Sequence, residues 1–278
     1  LPVDWYNEGM EQTTLHLLYS RFWNKFLFDQ GLLPCSEPYS KRTSHGMVLG
    51  EDNCKMSKSR GNVVNPDDVV RDFGADTLRG FEMFMGAFDQ TTPWSSRGVV
   101  GIHKFLIRVW NLQEKVSPEA SPSREDEYQI HRTIKLVSER IESMKFNTAI
   151  SELMTYVNYL SGREIIDRAS FESFLKLLSP FAPHMTCEIW ERLGNDSELT
   201  LSSWPKWDPA KVVADTFTLA VQVKGKLRDT LEVAVDASKE EIAELVKSSE
   251  KVQKYITGKE IVKEIYVPKK IYNIVTKG

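Results

Sequence analysis

The chain has 278 residues, a formal net charge of −3 and 41% hydrophobic residues, enough for two or three domains with cores of their own. A pI of about 6.0 excludes a globally basic nucleic-acid binder, so any RNA contact has to come from local patches. Cys35, Cys54 and Cys187 are scattered without a C-x-x-C pair, and no long apolar run is present, so neither a metal site nor a membrane span is expected.

The thiols read as reduced and the protein as cytoplasmic. The chain opens Leu1-Pro2-Val3 without a methionine and reads as the interior of a larger protein. Over residues 13–30, Leu15, Leu18, Tyr19, Phe22 and Phe26 recur at helical spacing, which predicts a core helix closed by Gly31. His16 on that helix is isolated and reads as structural. A loop-rich stretch follows, and Gly46-Met47-Val48-Leu49-Gly50 then predicts a short buried strand.

The next segment, Cys54-Lys55-Met56-Ser57-Lys58-Ser59-Arg60-Gly61-Asn62, concentrates three cations, two hydroxyls and a glycine. Ammonium groups supply compact charge, small hydroxyls add donors, and Gly61 permits a tight bend, a set suited to polyphosphate. From spacing alone it reads equally as a solvated basic turn.

Asn65-Pro66-Asp67-Asp68 then predicts a helix start, with Gly74 as its end and a second helix from about Asp76 to Met85. From Ser95 onward the period is helical. Val99, Ile102, Phe105, Leu106, Val109 and Trp110 line one helix; Ile130, Ile134, Val137, Ile141 and Met144 line the next, after a Pro/Ser-rich break at 117–123. Further helices fit 149–160, 170–178 and 183–194, the last anchored by Trp190, so the segment predicts an antiparallel helix bundle.

Residues 197–214 read as a Pro/Trp connector, after which the period becomes alternating. Phe217, Leu219, Val221 and Val223 share one face, Lys224-Gly225-Lys226 turns the chain, and Leu227, Leu231, Val233 and Val235 return it. Ser238 and Glu241 form a capping box for one helix ended by Gly258, and two strands follow at 261–267 and 271–275. The tail is thus a predicted β-β-α-β-β domain. Over 215–278 there are 12 Lys and Arg against 10 Asp and Glu, 12 − 10 = +2, so any RNA contact there has to rest on clustering.

Lys55-Met56-Ser57-Lys58-Ser59 with Arg60-Gly61-Asn62 resembles the signature loop of class I aminoacyl-tRNA synthetases. The tail, notably 223–229, 251–255 and 265–268, is similar to the C-terminal domain of leucyl-tRNA synthetases of the bacterial type. Gly74-Ala75-Asp76-Thr77-Leu78-Arg79 also matches that family. The resemblance implies a multidomain α and α/β chain. Residues 1–74 would be the C-terminal part of a Rossmann-like nucleotide domain, 75–196 an anticodon-binding-type helical domain, 197–214 a connector and 215–278 a tRNA-binding α+β domain.

The implied activity is ATP-dependent activation of leucine and its transfer to tRNA-Leu by a monomer, with Mg2+ accompanying ATP in the full-length enzyme and no membrane partner. Lys55 and Lys58 would stabilise the departing pyrophosphate, with Lys58 in direct phosphate contact. Met56, Ser57 and Ser59 complete the ATP loop, and the backbone at Met47 and Val48 would meet adenine. Tyr6-Asn7-Glu8-Gly9-Met10-Glu11-Gln12 resembles the family's adenosine loop. Gly9 and Glu11 match it, whereas Glu8 and Gln12 replace the usual glycine and histidine. Lys224, Lys226, Arg228, Lys269 and Lys270 are the implied tRNA phosphate contacts. Arg108, Lys104, Arg132 and Lys135 read first as a solvated face and second as RNA contacts.

The family's His-x-Gly-His motif is not among the histidines of this chain, so the fragment alone is expected not to adenylate leucine. The alternative is a non-catalytic RNA-binding paralogue with a decayed nucleotide site.

Overall fold

The computed structural model describes residues 1–212, 216–234 and 237–277. Contacts divide the chain into two units, Leu1–Asp208 and Pro209–Gly278. Val235, assigned above to a strand, lies outside the described residues, as do 213–215.

In the first unit, β1 (Tyr6–Gly9) leads through α1 (His16–Asp29) to β2 (Arg42–His45). β1 and β2 pair in parallel, Tyr6 opposite Arg42, as a strand–helix–strand crossover requires. β3 (Val48–Leu49) leads to α2 (Pro66–Phe73) and α3 (Ala75–Phe84), and then pairs in parallel with β4 (Thr92–Pro93). These are two separate two-stranded ladders rather than one continuous sheet.

Two expectations are corrected here. Val48 is 41% exposed and its strand is two residues long: the Thr92 and Trp94 N–H groups donate to the Met47 and Leu49 carbonyls at 3.0 and 2.9 Å, and the partner strand then gives way to the next helix, capped by Ser95. Helix α1 is present and ends at Gly31 in a left-handed conformation (φ 74°), yet it is not a core helix. Leu15, Leu18, Tyr19, Phe22 and Phe26 are all exposed, Phe22 by 68%. The periodicity correctly defines a stripe, but no described element covers it; Arg21 and Lys25 instead bind Glu37 at 2.7 Å each.

The helical region follows its pattern closely. Asn65 caps α2 by accepting from the Asp67 N–H at 3.2 Å, with Pro66 at the first position. α4 (Ser96–Leu112), α5 (Arg124–Glu142), α6 (Phe146–Ser161), α7 (Arg168–Leu178) and α8 (Pro183–Arg192) follow, with a short parallel bridge between β5 (Val116–Ser117) and β6 (Ile166–Asp167). Ser123 and Asp126 form a capping box at the start of α5. Ile102, Val109, Ile134, Val137, Leu153, Phe171 and Ile189 join one continuous apolar cluster. Trp190 is buried there and donates its indole N–H to the Ser197 carbonyl at 2.7 Å.

The second unit is a four-stranded sheet with two helices. β7 (Thr216–Val223) and β8 (Lys226–Ala234) form the predicted hairpin, followed by α9 (Lys239–Ser248), α10 (Glu250–Ile256), β9 (Ile261–Val267) and β10 (Ile271–Thr276). Strand order is β8-β7-β10-β9, with β7 and β10 parallel and both edge pairs antiparallel. The positive φ of Lys224 (52°) and Gly225 (75°) is that of a two-residue type I′ turn.

The single predicted helix is two. Ser249, extended at φ −60° and ψ 123°, caps α10 and donates its hydroxyl to Asp229 at 2.6 Å, so the chain is bent where a side chain competes for the backbone. The tail is therefore β-β-α-α-β-β. Leu227 is a second correction. A bulge between Val221 and Gln222 shifts the register, so that Val221 faces Asp229 while Gln222 faces Leu227. One extra residue reverses side-chain alternation, and Leu227 is 58% exposed.

Candidate functional site

The polar segment after β3 is a loop closed on itself. An antiparallel bridge pairs Leu49 with Lys55, and the Gly50 N–H donates to the Cys54 carbonyl at 2.9 Å. Met56 turns inward and packs against the helical core. Ser57, extended, caps a 3-10 turn at Lys58–Arg60 by accepting from the Arg60 N–H at 3.3 Å. Gly61 closes that turn at φ 68°, where a residue with a Cβ would be strained. The Ser57 and Ser59 hydroxyls are 3.1 Å apart. Lys55 and Lys58 are exposed, and among the described residues neither ammonium group has a hydrogen-bond or ion-pair partner.

Sequence reasoning did not single out Asp52 and Asn62, which tie the two ends of the loop together. The Asn62 amide donates to both Asp52 carboxylate oxygens at 3.1 Å and to the Lys55 carbonyl at 3.3 Å. Its carbonyl accepts from the Ser57 N–H at 2.8 Å. Asp52 also accepts from the Cys54 N–H at 3.0 Å. The Cys54 and Asn62 donors hold its carboxyl below the usual range. The neighbouring Glu51 accepts from the Ser96 N–H at 2.8 Å, joining the loop to the start of α4, where a carboxylate complements the helix dipole. The legible signal was the presence of Asx residues at both loop ends, which favour turns by bonding nearby backbone.

The remaining implied nucleotide residues fall into two groups. Gly9 and Glu11 are adjacent in space: a Cβ on Gly9 would lie 2.8 Å from the Glu11 carboxylate. Met47 and Val48 line a cavity of about 320 Å³ with Asn7, His45, Met83 and Phe146. Neither Gly9 and Glu11 nor the loop lysines line that cavity. His16 accepts or donates through Nδ1 to the Tyr6 hydroxyl at 2.9 Å, a structural contact.

Several surface cations of the bundle are already engaged. Arg108 donates to Asn158 at 2.7 Å and Ser161 at 3.1 Å, Arg132 lies 3.5 Å from Glu152, and Lys135 sits 5.0 Å from the centre of the Trp207 ring.

The sheet register separates the basic residues of the tail. Because Ile274 is beside Val223 and Ile271 beside Ala220, the Lys224–Gly225 turn lies at one end of the sheet. Lys269 and Lys270 lie at the other, roughly 15–20 Å away along the strands. Lys224, Lys226 and Arg228 share the first end, where the Arg228 guanidinium stacks 3.9 Å from the centre of the Tyr255 ring. Asp229 behind it receives Lys251 at 3.0 Å.

Comparison with known proteins agrees with this architecture. Residues 1–91 match the family of class I tRNA synthetases (I, L, M and V), and residues 127–244 match the anticodon-binding domain of tRNA ligases. The leucine–tRNA ligase of Alkaliphilus oremlandii (strain OhILAs) is 50% identical over 277 residues. The alignment takes in 100% of this chain and 34% of that protein, so the chain spans about a third of the length of this curated relative. The crystal structure of the Agrobacterium radiobacter K84 AgnB2 LeuRS in ternary complex with tRNA and LeuAMS matches with a TM-score of 0.71 and 32% identity. It covers 100% of this chain and 39% of that one. Mycobacterium tuberculosis methionyl-tRNA synthetase bound by methionyl-adenylate matches with a TM-score of 0.53 and 18% identity over 70% of this chain and 45% of its own, a likeness of fold alone. Among the described residues no helix is long and apolar enough to cross a membrane. Both domain types of the class I tRNA synthetases are thus matched in sequence, at residues 1–91 and 127–244, and the fold is similar to a leucyl-tRNA synthetase along the whole length of this chain.

Proposed function

We propose that this chain is part of a leucine–tRNA ligase, in which Lys55 and Lys58 counter the charge that builds on pyrophosphate as leucine is activated by ATP. Residues 1–74 would supply part of a Rossmann-like nucleotide domain, the helices an anticodon-binding-type domain, and the tail a grip on tRNA-Leu. The observation that carries the reading is the loop itself, where two exposed ammonium groups with no partner among the described residues stand on a backbone fixed by its own hydrogen bonds. Fixed positive groups beside developing charge are a large source of rate enhancement. Lys224, Lys226 and Arg228 support one phosphate contact region on the tail, and Lys269 and Lys270 a second.

The test is the full-length ligase carrying this segment, with Lys55→Ala and Lys58→Ala. Each variant is expected to lower kcat for leucine-dependent pyrophosphate exchange by about 100-fold, the scale for losing one transition-state donor. Normal charging by the double variant would overturn the reading. The isolated chain is expected to give no leucine-dependent exchange.

A further inference from the structure

We propose that Asp52 and Asn62 form a clasp whose task is to position Lys55 and Lys58 for phosphate before any nucleotide arrives. The inference rests on the phosphate role given to this loop above and adds the residues that set its shape. Asn62 grips the chain on both sides of Met56, through the Lys55 carbonyl at 3.3 Å and the Ser57 N–H at 2.8 Å. The Met56 side chain is itself anchored in the core. The backbone of Lys55 is therefore fixed directly. That of Lys58 is fixed through Ser57, which caps its turn.

Asp52 orients the Asn62 amide by accepting its Nδ2 donor on both oxygens at 3.1 Å. The clasp is built tightly against residue 50: a Cβ there would lie 2.7 Å from an Asp52 oxygen and 3.0 Å from the Asn62 amide nitrogen. Asp52 and Asn62 bind no ligand in this account. They remove conformations that the loop would otherwise lose on binding, and that loss weakens affinity.

A side-chain swap tests the clasp. Asn62→Asp keeps the acceptor for the Ser57 N–H but sets two carboxylates against each other. Adding Asp52→Asn restores a donor facing an acceptor while still accepting from the Cys54 N–H, although the donor to the Lys55 carbonyl stays lost. Two quantities are measured on the 278-residue chain: the rate of tryptic cleavage after Lys55, Lys58 and Arg60, and the affinity for inorganic pyrophosphate by calorimetry. Asn62→Ala and Asn62→Asp are each expected to raise cleavage and weaken pyrophosphate binding about tenfold, as loss of two or three modest hydrogen bonds implies. The Asp52→Asn/Asn62→Asp pair is expected to recover both in part, the bond to the Lys55 carbonyl being the share not restored, and thermal stability is expected to change little.

Unchanged cleavage and affinity in Asn62→Ala, or a swap no better than Asn62→Asp alone, would overturn the clasp. Lys58→Ala separates the two claims, because it is expected to lose pyrophosphate while leaving cleavage after Lys55 slow. A wild-type loop that resists trypsin, with Lys58→Ala leaving charging by the full-length ligase unchanged, would support the clasp and refute the phosphate reading.

Discussion

Replacing Asp76 by alanine isolates a helix cap supplied from far along the chain. Helix α8 begins at Pro183, which has no N–H, and its N-cap residue Ala182 carries no side-chain acceptor. The Thr186 N–H reaches the Ala182 carbonyl at 3.2 Å. That leaves the His184 and Met185 N–H groups, and the buried Asp76 carboxylate of α3 accepts both, at 3.3 and 2.7 Å. It also meets His184 Nδ1 at 2.7 Å, but that side chain is 73% exposed and adds at most about 0.5 kcal/mol.

Losing an N-cap costs about 1–2 kcal/mol, more where the donors stay buried. Asp76→Ala is therefore expected to destabilise the first unit by about 2 kcal/mol and lower its Tm by about 4–8 °C for a unit of this size. Asp76→Asn, retaining one acceptor, is expected to cost about half as much, and His184→Ala about 0.5 kcal/mol or less. All seven tryptophans of the chain lie within residues 1–208, so tryptophan fluorescence during urea unfolding reads this unit alone. A loss below about 0.5 kcal/mol in Asp76→Ala, or His184→Ala as damaging as Asp76→Ala, would refute the cap account.

Two glycines are expected to respond with opposite signs. A Cβ at Gly46 would lie 1.9 Å from the Gln90 carbonyl oxygen, so Gly46→Ala is expected to cost at least about 2–3 kcal/mol in the same unfolding assay, the range for overpacking against backbone. Gly101 in α4 has nothing within 4 Å of an added Cβ, and Gly101→Ala is expected to stabilise by about 0.5–1 kcal/mol. In the second unit, hydrogen bonds from Ser249 and Lys251 hold the Asp229 carboxyl below its ordinary value. A depressed folded-state pKa gives stability that is complete above the unfolded value, about 3.9, and lost as pH falls through the folded one. Acid unfolding of this unit, followed by amide exchange of β7 and β10, is expected to lose part of its pH dependence below about pH 4 in Asp229→Asn. An unchanged acid limb would exclude Asp229 as a source.

The capping box at Ser238, the Asn65-Pro66 helix start, the bends at Gly31 and Gly61 and the Lys224–Gly225 turn were all legible in the sequence. Each rests on groups within a few residues of one another, so the local chain carries the whole energetic case. The loop that concentrates Lys55 and Lys58 was legible for the same reason, whereas the grip of Asn62 on Asp52 joins side chains ten residues apart and depends on how the loop folds back.

Tertiary structure alone decided the rest. Periodicity marks the apolar stripe of α1 but does not name what would cover it, and among the described residues nothing does. Alternation predicts Leu227 inside, and one extra residue in its own strand, Arg228, sends it out. Lys224, Lys226 and Arg228 on one side and Lys269 and Lys270 on the other, implied together as phosphate contacts, end up at opposite ends of a sheet, because a parallel pairing of β7 with β10 separates the two turns. Local hydrogen bonding fixes where elements begin and stop; which faces meet is fixed by long-range packing between residues far apart in sequence, as Asp76 is from the helix it caps, 108 residues on.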